Sequence, residues 1–146
     1  MIRDKNIFKV LLPLFTAAVI AFIWIHSAMP GDTSAVESGF ITEFLNSIFG
    51  ENTVNEHLVR KTAHFTEYML LGILCCMDFA VFGRAGMRYV LFPLYICLAV
   101  SVIDESIQLF TVGRSGMLFD VWLDHAGSIT GAVCSKIIGY IINREA

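Results

Sequence analysis

The sequence predicts an all-α fold: a polytopic membrane protein built as a four-transmembrane-helix bundle, with a short interfacial helix in its first outer loop. Three observations lead there. The 146-residue chain is 56% hydrophobic and only 16% charged, with a mean hydropathy of +0.69, whereas a water-facing surface would call for more polar residues. Its apolar residues are gathered into long runs. Its lysines and arginines concentrate at alternate gaps between those runs, as the positive-inside rule requires of a membrane protein. The length leaves room for one domain, residues 1–146. A net charge of −3 offers no basic surface to nucleic acid.

The runs place spans over residues 7–25, 63–82, 89–108 and 118–142, each near the ~20 residues that cross the hydrocarbon of a bilayer. The first, IFKVLLPLFTAAVIAFIWI, has a basic start and could be read as a signal peptide. Its apolar run is longer than such a region needs and the HSAMPG cleavage site is poor, so a retained anchor is expected. Pro13 within it is tolerable, because neighbouring helices can satisfy a freed carbonyl. Cys75, Cys76, Cys97 and Cys134 all lie inside apolar runs with no C-x-x-C spacing, which fits packing rather than a disulfide or a metal.

Orientation follows from the cations. Arg3, Lys5 and Lys9 precede the first span, Arg84 and Arg88 flank the turn between the second and third, and Lys136 and Arg144 lie toward the C-terminus. Four spans put all three groups on one side, the cytoplasm, with both termini inside. The loop over residues 27–59 then faces outward. It is acidic, and its GFITEFLNSIF stretch sets Phe40, Ile41, Phe44, Leu45, Ile48 and Phe49 on one side of a helix. That helix either lies in the outer headgroup region or packs on the bundle. Asp78, near the inner end of the second span, is expected to pair with Arg84 or Arg88.

With this topology the polar residues converge on the outer side. Span two begins RKTAHFTEY, span three ends DESIQ, and span four opens DVWLDHAG behind GRSGMLF. At about 100° per residue, Arg60, Lys61, His64, Glu67 and Tyr68 share a sector of about 120°. Ser101, Asp104, Glu105 and Gln108 share one on span three; Asp120, Asp124, Gly127 and Gly131 share one on span four. His125 points away. A charge in mid-membrane costs roughly 2.5–3.5 kcal/mol, and near a helix end it can instead reach for water. Three helices aiming polar groups along one face argue for a shared interior or wet cavity.

The chemistry of that set is acid, base and cation. His64, Asp104 and Glu105 are candidate acid/base groups. Arg60, Lys61, Glu67, Tyr68, Gln108, Arg114, Asp120 and Asp124 are candidate binding residues, the arginine fork suiting phosphate or carboxylate. His64 with Glu or Asp could hold a divalent metal, but no H-E-x-x-H or similar ligand spacing supports one, so no cofactor is predicted, and no nucleophile motif is present. Gly127, Gly131, Ser135 and Gly139 recur every fourth residue, as small residues do where membrane helices pack closely. The seam joins span four to spans two and three, or else two copies of the chain, so monomer and homodimer both stay open.

These blocks, KTAHFTEY, DESIQLF, GR and DVWLDHAGSITG in that order, resemble the VanZ-like membrane proteins. The family pattern is K-x-x-H-F-x-x-Y, D-E-x-x-Q-x-F, an arginine, then D-x-x-x-N-x-x-G-x-x-x-G. The match falls on Lys61, His64, Phe65, Tyr68, Asp104, Glu105, Gln108, Phe110, Arg114, Asp120, Gly127 and Gly131. The chain departs at Asp124, where the family usually has asparagine. The resemblance implies a small bacterial protein of the cell envelope, in the cytoplasmic membrane. The family's name comes from a member associated with resistance to teicoplanin, a glycopeptide antibiotic, so the resemblance implies a contribution to such resistance.

Together these readings lead to an outer-face polar pocket that engages an anionic headgroup or a lipid-linked wall precursor. A hydrolase or transferase acting on such a lipid is the alternative. A proton-coupled transporter would need polar residues in the inner halves of the spans, where Asp78 stands nearly alone. A structural membrane protein, in which the polar cluster only locks helices together, is the remaining class.

Overall fold

The computed structural model of the chain describes residues 2–83, 86 and 88–145, with side chains described within 6–83, 86 and 89–140. Arg84 and the side chains of Arg3, Lys5, Arg88 and Arg144, which carry much of the orientation argument and the expected Asp78 pairing, lie outside what is described. The fold is all-helical: α1 (Ile2–Ser27), α2 (Gly31–Phe49), α3 (Glu56–Val81), α4 (Arg88–Phe110) and α5 (Leu118–Glu145).

Among the described residues, three helices are long and apolar enough to cross a membrane: Asn6–Ser27, Glu56–Val81 and Tyr89–Phe110. The fourth expected span falls in α5, whose 28 residues give ample length. Its apolarity is diluted by Asp120, Asp124, His125 and Lys136 and by a run of Gly, Ser and Thr. Most of that polarity faces inward: Asp124, Gly127, Ser128 and Gly131 are buried, whereas Trp122, Val133 and Ile137 are exposed. The segment between α1 and α3 is longer and more regular than expected, a 19-residue helix beginning at Gly31. Its Phe40, Phe44 and Phe49 are 74%, 58% and 65% exposed, so the apolar face turns outward while Ser34 and Ser38 face the bundle.

Packing runs in the opposite sense to that of a water-soluble bundle. Phe8, Phe15, Phe22, Phe92 and Tyr95 stand on the outside, while Ser101, Asp104, Gln108, Asp124 and Ser128 are buried. Such an exterior is stable against lipid tails and costly against water. The apolar core is small: Ile23, Tyr68, Leu71, Cys75, Cys97 and Val100, flanked by Val19, Ile20 and Trp24. The indole Nε1 of Trp24 donates to the carbonyl of Val100 at 3.3 Å, tying α1 to α4. All four cysteines are free thiols, three of them buried.

The most extensive helix pair is α3 with α5, because small residues let the backbones touch. A Cβ on Gly127 would strike the carbonyl of Phe65, one on Gly131 that of Met69, and one on Gly72 that of Ser128. Gly139 has open space around it, so the tight seam ends before the last turns.

At the other end of the bundle the chain closes on itself. The C-terminal end of α1, the start of α3, the end of α4 and the start of α5 meet there. Asn55 caps α3 by accepting the amide of Leu58 at 2.8 Å, removing one unpaired donor of the first turn. Asn46 bonds both the amide and the carbonyl of Val54 (2.8 and 2.9 Å), fixing the α2–α3 turn. The amide of Gly31 donates to the carbonyl of Val112 at 2.9 Å. There Gly113 takes φ +75°, and a side chain on Gly31 would collide with it. This junction sets the position of Arg114.

Candidate functional site

The converging polar residues form two levels. The outer level is a cleft of about 180 Å³ whose lining includes His57, Arg60, Lys61, His64, Gln108, Arg114 and Asp120. Lys61 pairs with Asp120 across the α3–α5 seam, and the Lys61 ammonium also stands 5.9 Å from the Phe119 ring centre. That pair holds the two helix starts in register.

Arg114 does something the sequence did not indicate. Its Nε donates to the carbonyl of Met29 at 3.2 Å and its Nη2 to that of His26 at 3.1 Å. A planar fork can serve two carbonyls at once where an ammonium cannot; that of His26 belongs to the last turn of α1, where a cation is favoured, and that of Met29 to the turn after it. Arg114 thus forms a staple between the α4–α5 loop and the end of α1. One guanidinium nitrogen, Nη1, is buried without a partner, as is Nε of Arg60. Burial, and then the neighbouring Arg60 charge, pull Arg114 below its ordinary pKa.

Glu105 is 5% exposed and accepts the amide of Met117 through Oε2 at 2.8 Å. It thereby satisfies an amide just ahead of α5, at the positive end of that helix. The carbonyl of Glu105 sits where a Cβ on Gly116 would fall, so glycine is needed for that approach. Gln108 Nε2 lies 3.4 Å from Ser27 Oγ, Asp104 Oδ2 and Glu105 Oε1 alike, a shared donor among three acceptors.

The inner level lies below. Asp104 and Asp124 are both fully buried, and His64 is 9% exposed. His64 Nδ1 is 3.8 Å from Asp104 Oδ2 and 3.9 Å from Asp124 Oδ1. Ser101 donates to Asp124 Oδ2 at 2.8 Å, fixing the carboxylate that stands at the asparagine position of the family pattern. Ser128, one turn further on α5, bonds the Asp124 carbonyl at 3.1 Å.

Tyr68 is fully buried between the apolar core and the inner-level carboxylates. One expected site residue sits elsewhere. Glu67 lines a separate groove between α2 and α3, with Ile41, Leu45, Leu58 and Thr66. The sector of about 120° was too wide, because one residue's rotation on a helix moves a side chain to a different neighbour. Sequence reasoning missed His57 and Ser27. A helix drawn from Glu56 rather than from residue 63 would have put His57 on the cleft face, one turn before Lys61.

The VanZ/LLP1 family model matches residues 12–139, a stretch that contains every residue of both levels. No curated protein and no solved structure matches the chain. A match across that much of the sequence, joined to helices of membrane-spanning length and an apolar exterior, establishes the chain as a membrane protein belonging to the VanZ/LLP1 family.

Proposed function

We propose that the chain crosses the bacterial cytoplasmic membrane four times, with both termini inside, and that the outer-level cleft receives an anionic lipid headgroup or a lipid-linked wall precursor. Burial of Asp124, Gly127, Ser128 and Gly131 against α3 supports α5 as the fourth span, since its polar side need not meet lipid. The outward phenylalanines of α2 support a helix lying in the outer headgroup layer.

One observation carries the headgroup reading: Arg60 and Arg114 border the same small cleft, and each has a buried N–H group with no partner. Buried donors without acceptors are costly, and more so on cations. A phosphate oxygen would satisfy both and offset the burial and the Arg60 charge that lower Arg114. Lys61 is largely committed to Asp120, so the arginines are the open donors. A part in resistance to teicoplanin is consistent with a protein that holds an envelope lipid, and it rests on the family resemblance alone.

The test is native mass spectrometry of protein extracted in mild detergent, wild type beside Arg60→Ala. Arg60 is the better variant because Arg114 also fastens α1. A phosphate-bearing lipid retained by the wild type and lost from the folded variant is the expected result. Equal retention by both would overturn the reading.

The second reading, a hydrolase or transferase on the bound lipid, draws on His64. It lines the cleft and has two carboxylates behind its Nδ1, an arrangement that suits an acid/base group. It requires His64→Gln to abolish turnover of a lipid-linked substrate while leaving lipid retention intact.

A further inference from the structure

The inner level has a charge problem that the headgroup reading does not address. Asp104 and Asp124 are fully enclosed, and among the described residues the one ion-pair partner of either is His64. Asp104 Oδ1, Asp124 Oδ1 and His64 Nδ1 are all buried without a hydrogen-bond partner. Two buried carboxylates without compensation cost several kcal/mol each. Tyr68, one turn along α3 from His64, is fully enclosed near Asp104 and Asp124, and its hydroxyl also has no partner. Four buried polar atoms from three helices thus lack partners around one spot.

The spacing is informative. At 3.8 and 3.9 Å, the imidazole nitrogen is too far from either carboxylate for a hydrogen bond. One ligand atom from each of His64, Asp104 and Asp124 lies within 4.8 Å of the others. Two ligands of a tetrahedral ion with bonds of ~2.0 Å stand ~3.3 Å apart, so His64 needs to approach each carboxylate by only about half an ångström, and the set as a whole must draw in from a spread of at most 4.8 Å. The far oxygen of Asp124, Oδ2, is held by Ser101 as the second oxygen of a ligand carboxylate usually is.

We propose that His64 Nδ1, Asp104 and Asp124 bind one divalent transition-metal ion of the zinc or manganese class within the bundle. The donor set selects the class. One neutral imidazole and two carboxylates suit zinc or manganese, whereas calcium takes six to eight oxygens. The charges balance, two negative against two positive, which removes the cost of the enclosed carboxylates. Three protein ligands leave a position open, as in zinc sites that keep a water or substrate. Because His64 also lines the outer cleft, the ion stands under its floor. The sequence spacing could not show this, since residues 64, 104 and 124 come from three helices and match no local ligand motif. The inference is independent of the headgroup reading, because the ion needs no lipid.

The test uses the full chain in mild detergent micelles, stripped with a chelator, desalted, and incubated with Zn²⁺, Mn²⁺ or Co²⁺ alone. Bound metal per chain is measured by elemental analysis, with the visible absorption of Co²⁺ reporting its ligand field. The wild type is expected to hold about one ion per chain and to lose at least tenfold in affinity in Asp124→Asn and in His64→Gln. Arg60→Ala should keep full loading, which separates a failure here from a failure of the headgroup reading. Should a variant not remain monodisperse, the wild type still decides: Zn²⁺ should raise its melting temperature over the chelated sample. A wild type that binds no ion at millimolar concentration, or equal loading of wild type and Asp124→Asn, would overturn the proposal.

Discussion

The two polar levels are one helical turn apart and have opposite characters. Asp120 and Asp124 lie four positions apart on α5, as do Asp104 and Gln108 on α4, a separation of about 6 Å along each axis. Yet Asp120 meets Lys61 beside an open cleft rich in arginine, while Asp124 and Asp104 are buried and, among the described residues, have His64 as their ion-pair partner. Residue type did not decide this, since both residues of the α5 pair are aspartates. Depth decided it. The outer level can exchange its partners with whatever enters the cleft, whereas the inner level must be satisfied by the protein or by something held permanently inside.

If that contrast depends on how far α5 sits along α3, the seam should matter most. Gly131→Leu would drive a side chain into the carbonyl of Met69, and no flexible neighbour can move aside. A loss exceeding about 4 kcal/mol is expected, read as failure to recover monodisperse protein, with both levels lost together. Arg114→Ala comes next. It strips two donors from the carbonyls of His26 and Met29, and a cost of about 2–3 kcal/mol is expected from thermal melts. Arg114→Lys should recover less than half, since a point charge cannot serve both carbonyls.

Smaller effects test the outer level. Lys61→Met should cost about 1 kcal/mol, near the upper end for a partly exposed pair, and Asp120→Asn about as much. The double variant should cost less than the sum, and strict additivity would show that the pair contributes no coupling. Arg60→Ala should change stability least, within about 0.5 kcal/mol, because none of its donors is committed to a protein group whose loss would be felt.

Much of this was legible in the sequence. Apolar runs located the cores of α1, α3, α4 and α5, and counting spans brought residues more than sixty positions apart to one end of the bundle. The small-residue repeat pointed to the α3–α5 seam at Gly127 and Gly131. The rest was not legible, for definite reasons. Helical period gives the face of a residue but not its depth against another helix, so Asp120 and Asp124 read as one set. Arg114 sits in a loop with no period at all, and its turn toward α1 follows from the Gly31–Gly113 junction. Glu67 flanks the His64 direction by only a fraction of a turn, and its neighbours differ. α5 looks less apolar than α1, α3 and α4 because much of its polar side is buried.

The most direct measurement is the shift in melting temperature that a short-chain anionic phospholipid produces in detergent, wild type against Arg60→Ala. A ligand that binds only the folded state raises the melting temperature by mass action. The expected result is a rise of several degrees in the wild type, little in Arg60→Ala, and little in either with a zwitterionic lipid, with the two proteins melting alike when no lipid is added. Equal rises in both proteins, or no preference for the anionic lipid, would contradict an outer level built to receive an anionic headgroup.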